Sequence, residues 1–247
     1  MFRDGAPTGA PFAFVLGCGM SESPTFADQA LTRADLAPLS GQDVHLRNCT
    51  LDEADLKSLD LSSFVFERCS LAETQFIGAT LEFAKFSHCR GPKADFSSAD
   101  CTEAMFTDCD FNNGSFHSAT LTSTRFKSSK LTGVDFSKVH TFDIAFADCL
   151  LVAARMARMT FRKEKLVGID LSMADLSDCD FRDAVFERSS LREANIERAN
   201  FQNADLRGAD LGGLSMLKDR QRFRGAVISA AQAELVLDEY GFRVRAK

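Results

Sequence analysis

The 247-residue chain lacks the sequence features by which membrane proteins, nucleotide-binding enzymes and metalloproteins are usually recognised. No apolar run approaches the roughly twenty residues of a membrane-spanning helix. There is neither a P-loop nor a G-x-G-x-x-G motif, and no Cys-x-x-Cys spacing occurs. The four histidines are far apart. Because no nucleophile–base pair or ligand set can be assembled from these residues, we expect a protein that is not an enzyme and has no cofactor or metal.

A five-residue hydrophobic repeat runs through most of the chain. Every fifth position from Leu36 to Met216 is Leu, Phe, Met or Ile, with four exceptions. The exceptions are Gly41, Gly91, Cys101 and Thr141. The position two residues earlier is mostly small, so the repeat reads Ala-Asp-Leu-x-x, as at 174–176 and 204–206.

A period of five fits neither the helical period of 3.6 residues nor the strand period of 2. A short repeat of fixed length is typical of a solenoid, in which each unit buries its apolar side by stacking on its neighbours. The large residue and the small residue two positions before it can both point inward, because side chains alternate along an extended segment. The pattern therefore predicts short edges joined by turns, with the other three positions facing water.

The repeat resembles that of the pentapeptide-repeat family over residues 31–216. This resemblance implies an all-β fold, a right-handed quadrilateral β-helix of twenty residues per coil, with a short C-terminal helix. Residues twenty apart should then stack in columns, and phenylalanine recurs at this spacing in two series. The first series is Phe66, Phe86, Phe106, Phe126 and Phe146, and the second is Phe76, Phe96, Phe116 and Phe136.

The repeat divides the chain into three predicted regions. These are an irregular N-terminal extension at 1–30, the β-helix at 31–216, and a C-terminal capping and dimerisation helix and tail at 217–247. Residues 1–19 are expected to be an upstream extension with little fixed structure, since Met20 resembles a natural start. A helix is predicted from Ala230 to Glu239, because Ser229 and Gln232 have the spacing of a capping box.

Two irregularities and one cysteine series have structural interpretations. Glu164 falls at a small inward position, so we expect a bulge or outward loop near Arg162–Lys165. Gly91-Pro92 suggests a distorted corner. Cysteines recurring at multiples of twenty should form a buried column of reduced thiols, which fits the cytoplasm. They are Cys49, Cys69, Cys89, Cys109 and Cys149.

The C-terminal segments 225–228, 232–235 and 241–244 are similar to the tail of the Qnr and MfpA subgroup of that family. This resemblance implies a homodimer joined tail to tail. It also implies binding to DNA gyrase or topoisomerase IV in place of DNA, with protection from quinolones or natural toxins. The residues expected at the dimer interface are Phe223, Val227, Ile228, Leu235, Tyr240, Phe242 and Val244.

In the DNA-mimic hypothesis, outward carboxylates stand in for phosphates. The acidic residues expected to face the partner are Asp55, Glu73, Asp95, Asp135, Asp175 and Asp205. The net charge is −6: residues 1–150 carry 12 Lys and Arg against 20 Asp and Glu, and 151–247 carry 17 against 15. We expect a cytoplasmic protein that binds neither membrane nor nucleic acid directly. Two alternatives remain, a protein–protein interaction scaffold with an unrelated partner and a nucleic-acid binder using the basic cluster at 155–165.

Overall fold

The computed structural model describes residues 23–214, 216–239 and 241–244 of the chain, so residues 1–19 lie outside the described part. Nine short strands form one parallel sheet in sequential order, and two further strands pair with each other. The sheet strands are β1 Thr25–Ala27, β2 His45–Arg47, β3 Val65–Glu67, β4 Lys85–Ser87, β5 Met105–Thr107, β6 Arg125–Lys127, β7 Ala145–Ala147, β8 Lys165–Val167 and β9 Val185–Glu187. The second pair is β10 Ser189–Ser190 and β11 Ala209–Asp210.

The helices lie near the two ends of the described chain. They are α1 Arg33–Leu36, a 3₁₀ helix Ala37–Leu39, a second 3₁₀ helix Met216–Phe223, and α2 Ala230–Glu239. The architecture is a β-solenoid of about nine turns with one short helix near its C-terminal end, which confirms the predicted fold class. None of the helices in the described part of the chain is long and apolar enough to cross a membrane.

Each coil contains twenty residues and has four walls. In wall 1, the β1–β9 sheet, residues pair with those twenty positions later, as Phe66 does with Phe86. Single parallel bridges with the same spacing form the other walls. Wall 2 contains the bridge Thr50 to Ser70, wall 3 the bridge Asp55 to Gln75, and wall 4 the bridge Asp60 to Thr80. The twenty-residue stacking inferred from the repeat is therefore present on every wall.

The corners between walls depend on one left-handed residue in nearly every repeat. Glu53, for example, has φ of 59°, and the next residue's N–H closes the turn by donating to the carbonyl of Leu51 at 3.0 Å. Positive φ is costly for residues with a Cβ atom, which explains the many Asp, Asn, Ser and Gly residues at this position. These turns let a five-residue unit change direction without disturbing the stacking.

The core consists of stacked side chains along the coil axis. Phe66 and Phe86 stack with ring centroids 4.5 Å apart, and Phe76 and Phe96 stack at 4.7 Å. Rings from the two columns meet edge to face, as Phe86 and Phe96 do at 89°. Both predicted phenylalanine columns are confirmed. Burying each of these side chains contributes about 1.5–3 kcal/mol, so the aromatic columns are a major source of stability.

About halfway along the solenoid, the stacked phenylalanines pass from walls 1 and 3 to wall 4. The wall 1 column is interrupted after Phe146 by Leu166, and the wall 3 column continues after Phe136 with Met156. A new stack then begins on wall 4. Its members are Phe161, Phe181, Phe201 and Phe223, with successive centroids 4.8–5.2 Å apart.

Where the core changes walls, two successive coils separate along wall 4. We call the boundary between residues 137–144 and 157–165 the open seam. Within the described coils, the regular hydrogen bond from Thr141 N–H to the carbonyl of Thr160 is absent here, as is the bridge between His140 and Thr160. Pairing between β7 and β8 is reduced to Ala147 with Val167.

Side-chain size accounts for the open seam. The small inward position of wall 4 is Leu59, Ala79, Ala99 and Ala119 in earlier coils, and it holds Met159 here. The next large inward residue is Leu61 beside Leu59, whereas beside Met159 it is the bulkier Phe161. Excess volume in a well-packed core is relieved by a backbone shift. The preceding coil has Val139 at the same position, and Val139 and Thr141 are only partly buried there, unlike Ala119 and Leu121 one coil earlier.

Two local predictions are corrected by the structure. Glu164 is exposed as expected, but its turn has ordinary geometry, with its N–H bonded to Phe161 at 3.1 Å, and no loop or extra residue is inserted. The distortion lies between coils instead. The corner after Gly91 is regular, because Lys93 N–H donates to Asn112 as in other coils. Pro92 is tolerated there because the backbone N–H at this turn position takes no part in the backbone–backbone hydrogen bonds between coils.

The coil begins before residue 31, inside the segment 1–30 predicted to be an irregular extension. Strand β1 pairs with β2 in full register, and Ala30 bridges to Thr50. Phe26 occupies the inward position above Leu46 and packs against the core, so this segment buries apolar area like the later repeats. The short helices between 33 and 39 replace one regular wall of the first coil.

Candidate protein-binding surfaces

Four of the six acidic residues predicted to face a partner lie in one column of wall 3. Asp55, Asp95, Asp135 and Asp175 are two coils apart and alternate with uncharged residues or a basic one. The intervening positions are Gln75, Ser115 and Arg155. The other two predicted residues lie elsewhere, Glu73 at the corner between walls 2 and 3 and Asp205 on wall 1, so the structure does not bring all six together.

The aspartates of wall 3 have a structural role that the sequence interpretation missed. Their carboxylates accept hydrogen bonds from the backbone N–H two residues later, from Ser97 to Asp95 at 2.9 Å and from Ser177 to Asp175 at 3.1 Å. Asp side chains commonly stabilise turns in this way. The Asp of the Ala-Asp-Leu-x-x repeat therefore supports the next corner, and its recurrence alone is no sign of a binding surface.

Basic neighbours pair with four of the six predicted carboxylates. Asp55 lies 3.8 Å from Arg33, and Glu73 lies 2.8 Å from Lys93. The remaining two pairs are Asp135 with Arg155 at 2.8 Å and Asp205 with Arg207 at 2.6 Å. Within the described residues, Asp95 and Asp175 have no ion-pair partner. The surface therefore carries less uncompensated negative charge than the sequence suggested.

Hydrogen bonds hold two of these carboxylates in their charged form. Burial opposes ionisation of Asp135, but hydrogen bonds from Ser137 and the Arg155 guanidinium outweigh it and lower its pKa. The Arg207 guanidinium and backbone N–H lower the pKa of Asp205. Both residues therefore stay negatively charged at neutral pH.

The C-terminal end of the coil is closed by α2. Ser229 and Gln232 form the predicted capping box, since Ser229 N–H donates to the Gln232 side chain at 2.7 Å and Gln232 N–H donates back at 3.2 Å. The Gln232 amide also donates to the carbonyls of Leu206 and Ala209, at 2.7 and 2.6 Å. The buried Gln232 side chain thus supplies hydrogen-bond donors to two backbone carbonyls of the last coil.

The residues predicted at the dimer interface divide into two groups. Phe223 stacks on Phe201 at 5.1 Å, and Ile228 is partly buried against the core, so both contribute to closing the coil. The exposed group consists of Val227, Leu235, Phe242 and Val244, of which Leu235 and Phe242 are more than 60 % exposed. Tyr240 lies outside the described residues.

Two members of this exposed group line a groove of about 620 Å³ between α2 and the segment after it. It is lined by Leu235 and Val244 together with Glu234, Asp238 and Arg243. The N–H of Phe242 donates to the carbonyl of Leu237 at 3.0 Å, which folds the segment back along the helix. An apolar surface with a charged border is thereby formed at one end of the solenoid.

The cysteine column is an inert part of the core. The described cysteines are free and buried, and Cys49, Cys69 and Cys89 follow each other at the predicted spacing. Burial raises the pKa of Cys149 to about 11 and that of Cys179 to about 12. The described residues contain no group of three or more His, Cys, Asp or Glu side chains placed to hold a metal ion.

The family model described as pentapeptide repeats matches eight copies in this chain. The matched segments are 57–90, 74–113, 99–137 and 174–213. The unmatched stretch between 137 and 174 contains the open seam, where Val139, Thr141 and Met159 depart from the repeat. No curated protein sequence matches the chain.

Solved structures of QnrB1, described as a plasmid-mediated fluoroquinolone resistance protein, share the fold. A trypsin-treated variant superposes with a TM-score of 0.64 at 20% identity, covering 91% of this chain and 98% of that one. Full-length QnrB1 gives a TM-score of 0.63 at 18% identity, covering 89% and 98%. With its five-residue repeat, its four-walled coil and its match to the family model, the chain belongs to the pentapeptide-repeat family.

Proposed function

We propose that the protein is a non-catalytic DNA mimic that binds DNA gyrase or topoisomerase IV and protects the enzyme from quinolone-like or natural toxins. The observation that carries this proposal is the similarity to the QnrB1 structures over nearly the whole of both chains. The similarity covers 91% of this chain and 98% of the QnrB1 chain, so it extends well beyond a few shared repeats.

The surface best suited to contact with such an enzyme is wall 3. Its carboxylates at Asp95 and Asp175 have no ion-pair partner within the described residues and can attract a basic groove. Coils are about 4.8 Å apart, so carboxylates two coils apart lie about 10 Å from each other. This charge density is lower than that of duplex DNA, so shape and the remaining outward acids must contribute to the mimicry.

The proposal includes a homodimer formed through the C-terminal end. Val227, Leu235, Phe242 and Val244 supply exposed apolar area beyond that used to close the coil. A two-fold contact would bury the same patch on both copies and produce one long rod. Changing Leu235 to Glu should shift the molar mass measured by light scattering from dimer to monomer, whereas Met173→Glu, at another exposed apolar residue, should leave it unchanged. A monomeric unmodified protein would contradict this part of the proposal.

The proposed function is tested by DNA supercoiling with purified gyrase, titrated with the protein in the presence and absence of a fluoroquinolone. We expect inhibition at high concentration or restored supercoiling in the presence of the drug. The double variant Asp95→Asn, Asp175→Asn keeps the turn-supporting oxygens and removes two charges, so it should act more weakly. The matched control is Asp110→Asn, Asp170→Asn, which removes two similar turn-supporting charges from wall 2. Absence of any effect of the unmodified protein would overturn the proposal.

The second candidate function is a protein-interaction scaffold with a partner unrelated to topoisomerases. The four ion pairs that neutralise predicted partner-facing carboxylates favour this alternative, because they reduce the negative field on which DNA mimicry depends. If gyrase is unaffected and a partner binds with little dependence on salt, the scaffold function is the one supported.

A further inference from the structure

The open seam leaves a row of backbone groups without partners in the middle of the wall. One coil earlier, the N–H groups of Leu121 and Ser123 donate to the carbonyls of His140 and Phe142. At the seam, the equivalent hydrogen bonds are absent among the described residues. Neither the N–H groups that would donate them nor the carbonyls that would accept them form such bonds. The donors are Lys138, Thr141 and Asp143, and the acceptors are Ala157, Thr160 and Arg162.

A cleft of about 420 Å³ opens at the seam. Its apolar lining comes from Ala157 and from Val139 and Met159, which both occupy the small inward position of wall 4. Ser137 and Ser177 line it as well. A cleft of this volume is in the range of ligand-binding sites, and unpaired backbone groups in a cleft favour a ligand that can hydrogen-bond to them.

The border of the cleft is positively charged. Lys138, Arg158 and Arg198 line it, and Asp178 is the one acidic residue among its lining. Asp178 is already engaged by Arg198 at 2.6 Å and lies 3.8 Å from Arg158, whose side chain is 83% exposed. Arg198 also pairs with Glu197, so Lys138 is the one of these three cations without an ion-pair partner among the described residues, and the cluster keeps an excess of one positive charge. Next to the seam, the corner residue Phe142 is 75% exposed, the largest exposure among the large apolar residues described.

We propose that the open seam is a docking site for an extended acidic segment of a partner protein. The segment would lie along wall 4 and use its own backbone to pair with the unpaired groups of one coil, as in β-strand addition. Alternate side chains would then face the cleft, an aliphatic one toward Val139 and Met159 and a carboxylate toward Lys138 and Arg158. Phe142 would cover the end of the segment.

Two features favour an extended peptide over a small anion. The unpaired N–H groups of Thr141 and Asp143 are two residues apart, which is the spacing of hydrogen-bonding groups along one strand edge. The basic and apolar parts of the cleft also lie side by side, which suits alternating side chains on one backbone. A small anion would use the basic border and leave the rest of the row unpaired.

The state of the seam in the free protein is tested by amide hydrogen exchange on the full chain. The amides of Thr141 and Asp143 should exchange at least about tenfold faster than those of Leu121 and Ser123, which occupy the same positions one coil earlier. Equal protection at the two sets of positions would mean that the seam is closed in solution, and the proposal would be overturned.

Binding is tested with random eight-residue peptides displayed on phage and selected against the full chain. Enriched peptides should alternate Asp or Glu with aliphatic residues, and a fluorescein-labelled copy of the most enriched one should slow exchange at Thr141 and Asp143. Lys138→Glu should weaken its binding about tenfold. Lys130→Glu, an exposed lysine on wall 2, is the matched control and should bind as before.

A second pair of variants separates apolar contact from charge. Phe142→Ser should weaken binding of the labelled peptide severalfold, and Phe83→Ser should not, because Phe83 is an exposed phenylalanine at the same edge of the coil beside an intact wall. No enrichment of acidic peptides would overturn the proposal. So would binding that Lys138→Glu and Phe142→Ser leave unchanged, or binding competed fully by inorganic phosphate, which would indicate a simple anion site.

Discussion

The rings of Phe146 and Phe161 meet with centroids 6.3 Å apart and planes tilted by 56°. Within the two phenylalanine columns that precede this contact, rings stack nearly parallel or meet edge to face, as Phe86 does with Phe106 and Phe96. The tilted contact marks the point where the aromatic column passes from wall 1 to wall 4. The open seam lies in the same coils, so a change of core packing inside the tube coincides with an interruption of its wall.

We predict unequal costs for shortening the two methionines beneath the seam. Met156 fills a large inward position, so Met156→Ala should lower the free energy of unfolding by about 2–5 kcal/mol. Met159 occupies a position that is alanine in three earlier coils, so Met159→Ala should cost less than about 1 kcal/mol because it relieves crowding. Denaturant titration monitored by circular dichroism measures both values. An equal or larger loss for Met159→Ala would contradict crowding as the cause of the seam.

A cavity in the middle of the aromatic core should destabilise the whole coil. Phe116 is fully buried and stacks on Phe96 and Phe136, at 4.6 and 5.2 Å. Phe116→Ala should therefore cost about 3–5 kcal/mol of unfolding free energy. Phe142→Ala, at an exposed corner, should stay within about 0.5 kcal/mol. Thermal unfolding of the two variants compares them directly, and a small loss at Phe116 would refute the central role of the stack.

The C-terminal closure should depend on one amide side chain. Gln232→Ala removes the hydrogen bonds to the Leu206 and Ala209 carbonyls and the capping bond to Ser229, and it should cost about 2–4 kcal/mol. Hydrogen exchange should show the loss of protection first in the last coil. Glu234→Ala, an exposed position of the same helix, serves as the control and should change stability little.

The buried thiols should make stability fall at high pH. Burial holds the pKa of Cys149 at about 11 and that of Cys179 at about 12, above the ordinary value of 9.0. The thiol pKa is higher in the folded protein than in the unfolded chain. The stability contributed by the neutral buried thiols is therefore fully present below pH 9. It declines as the unfolded chain ionises between pH 9 and the folded values, by roughly 1 kcal/mol per thiol and pH unit.

Unfolding free energies measured between pH 8 and pH 11 test this linkage. The double variant Cys149→Ala, Cys179→Ala should show a shallower decline, since alanine occupies equivalent inward positions in other coils. An unchanged slope would mean that the two thiols do not cause the pH dependence. In a Cys18→Ser background, the native protein at pH 8 should react with Ellman's reagent far more slowly than the unfolded chain.

Much of the architecture is contained in the sequence, because a five-residue repeat has few ways to bury one large and one small residue per unit. Periodicity fixed the inward positions, the phenylalanine columns and the cysteine column. The family resemblance added the number of walls. The helix Ala230–Glu239 could also be predicted, since its capping box depends on residues close in sequence. These features are local, or they follow from a constant spacing of twenty.

The tertiary structure decided what depends on neighbours from different coils. The ion pairs of Asp135 with Arg155 and Glu73 with Lys93 join residues twenty apart whose geometry the repeat does not specify. The division of the C-terminal apolar residues into those that close the coil and those left exposed depends on how α2 packs. The open seam arises because Met159 and Phe161 together crowd one wall, and a volume conflict of this kind appears when the side chains share one interior.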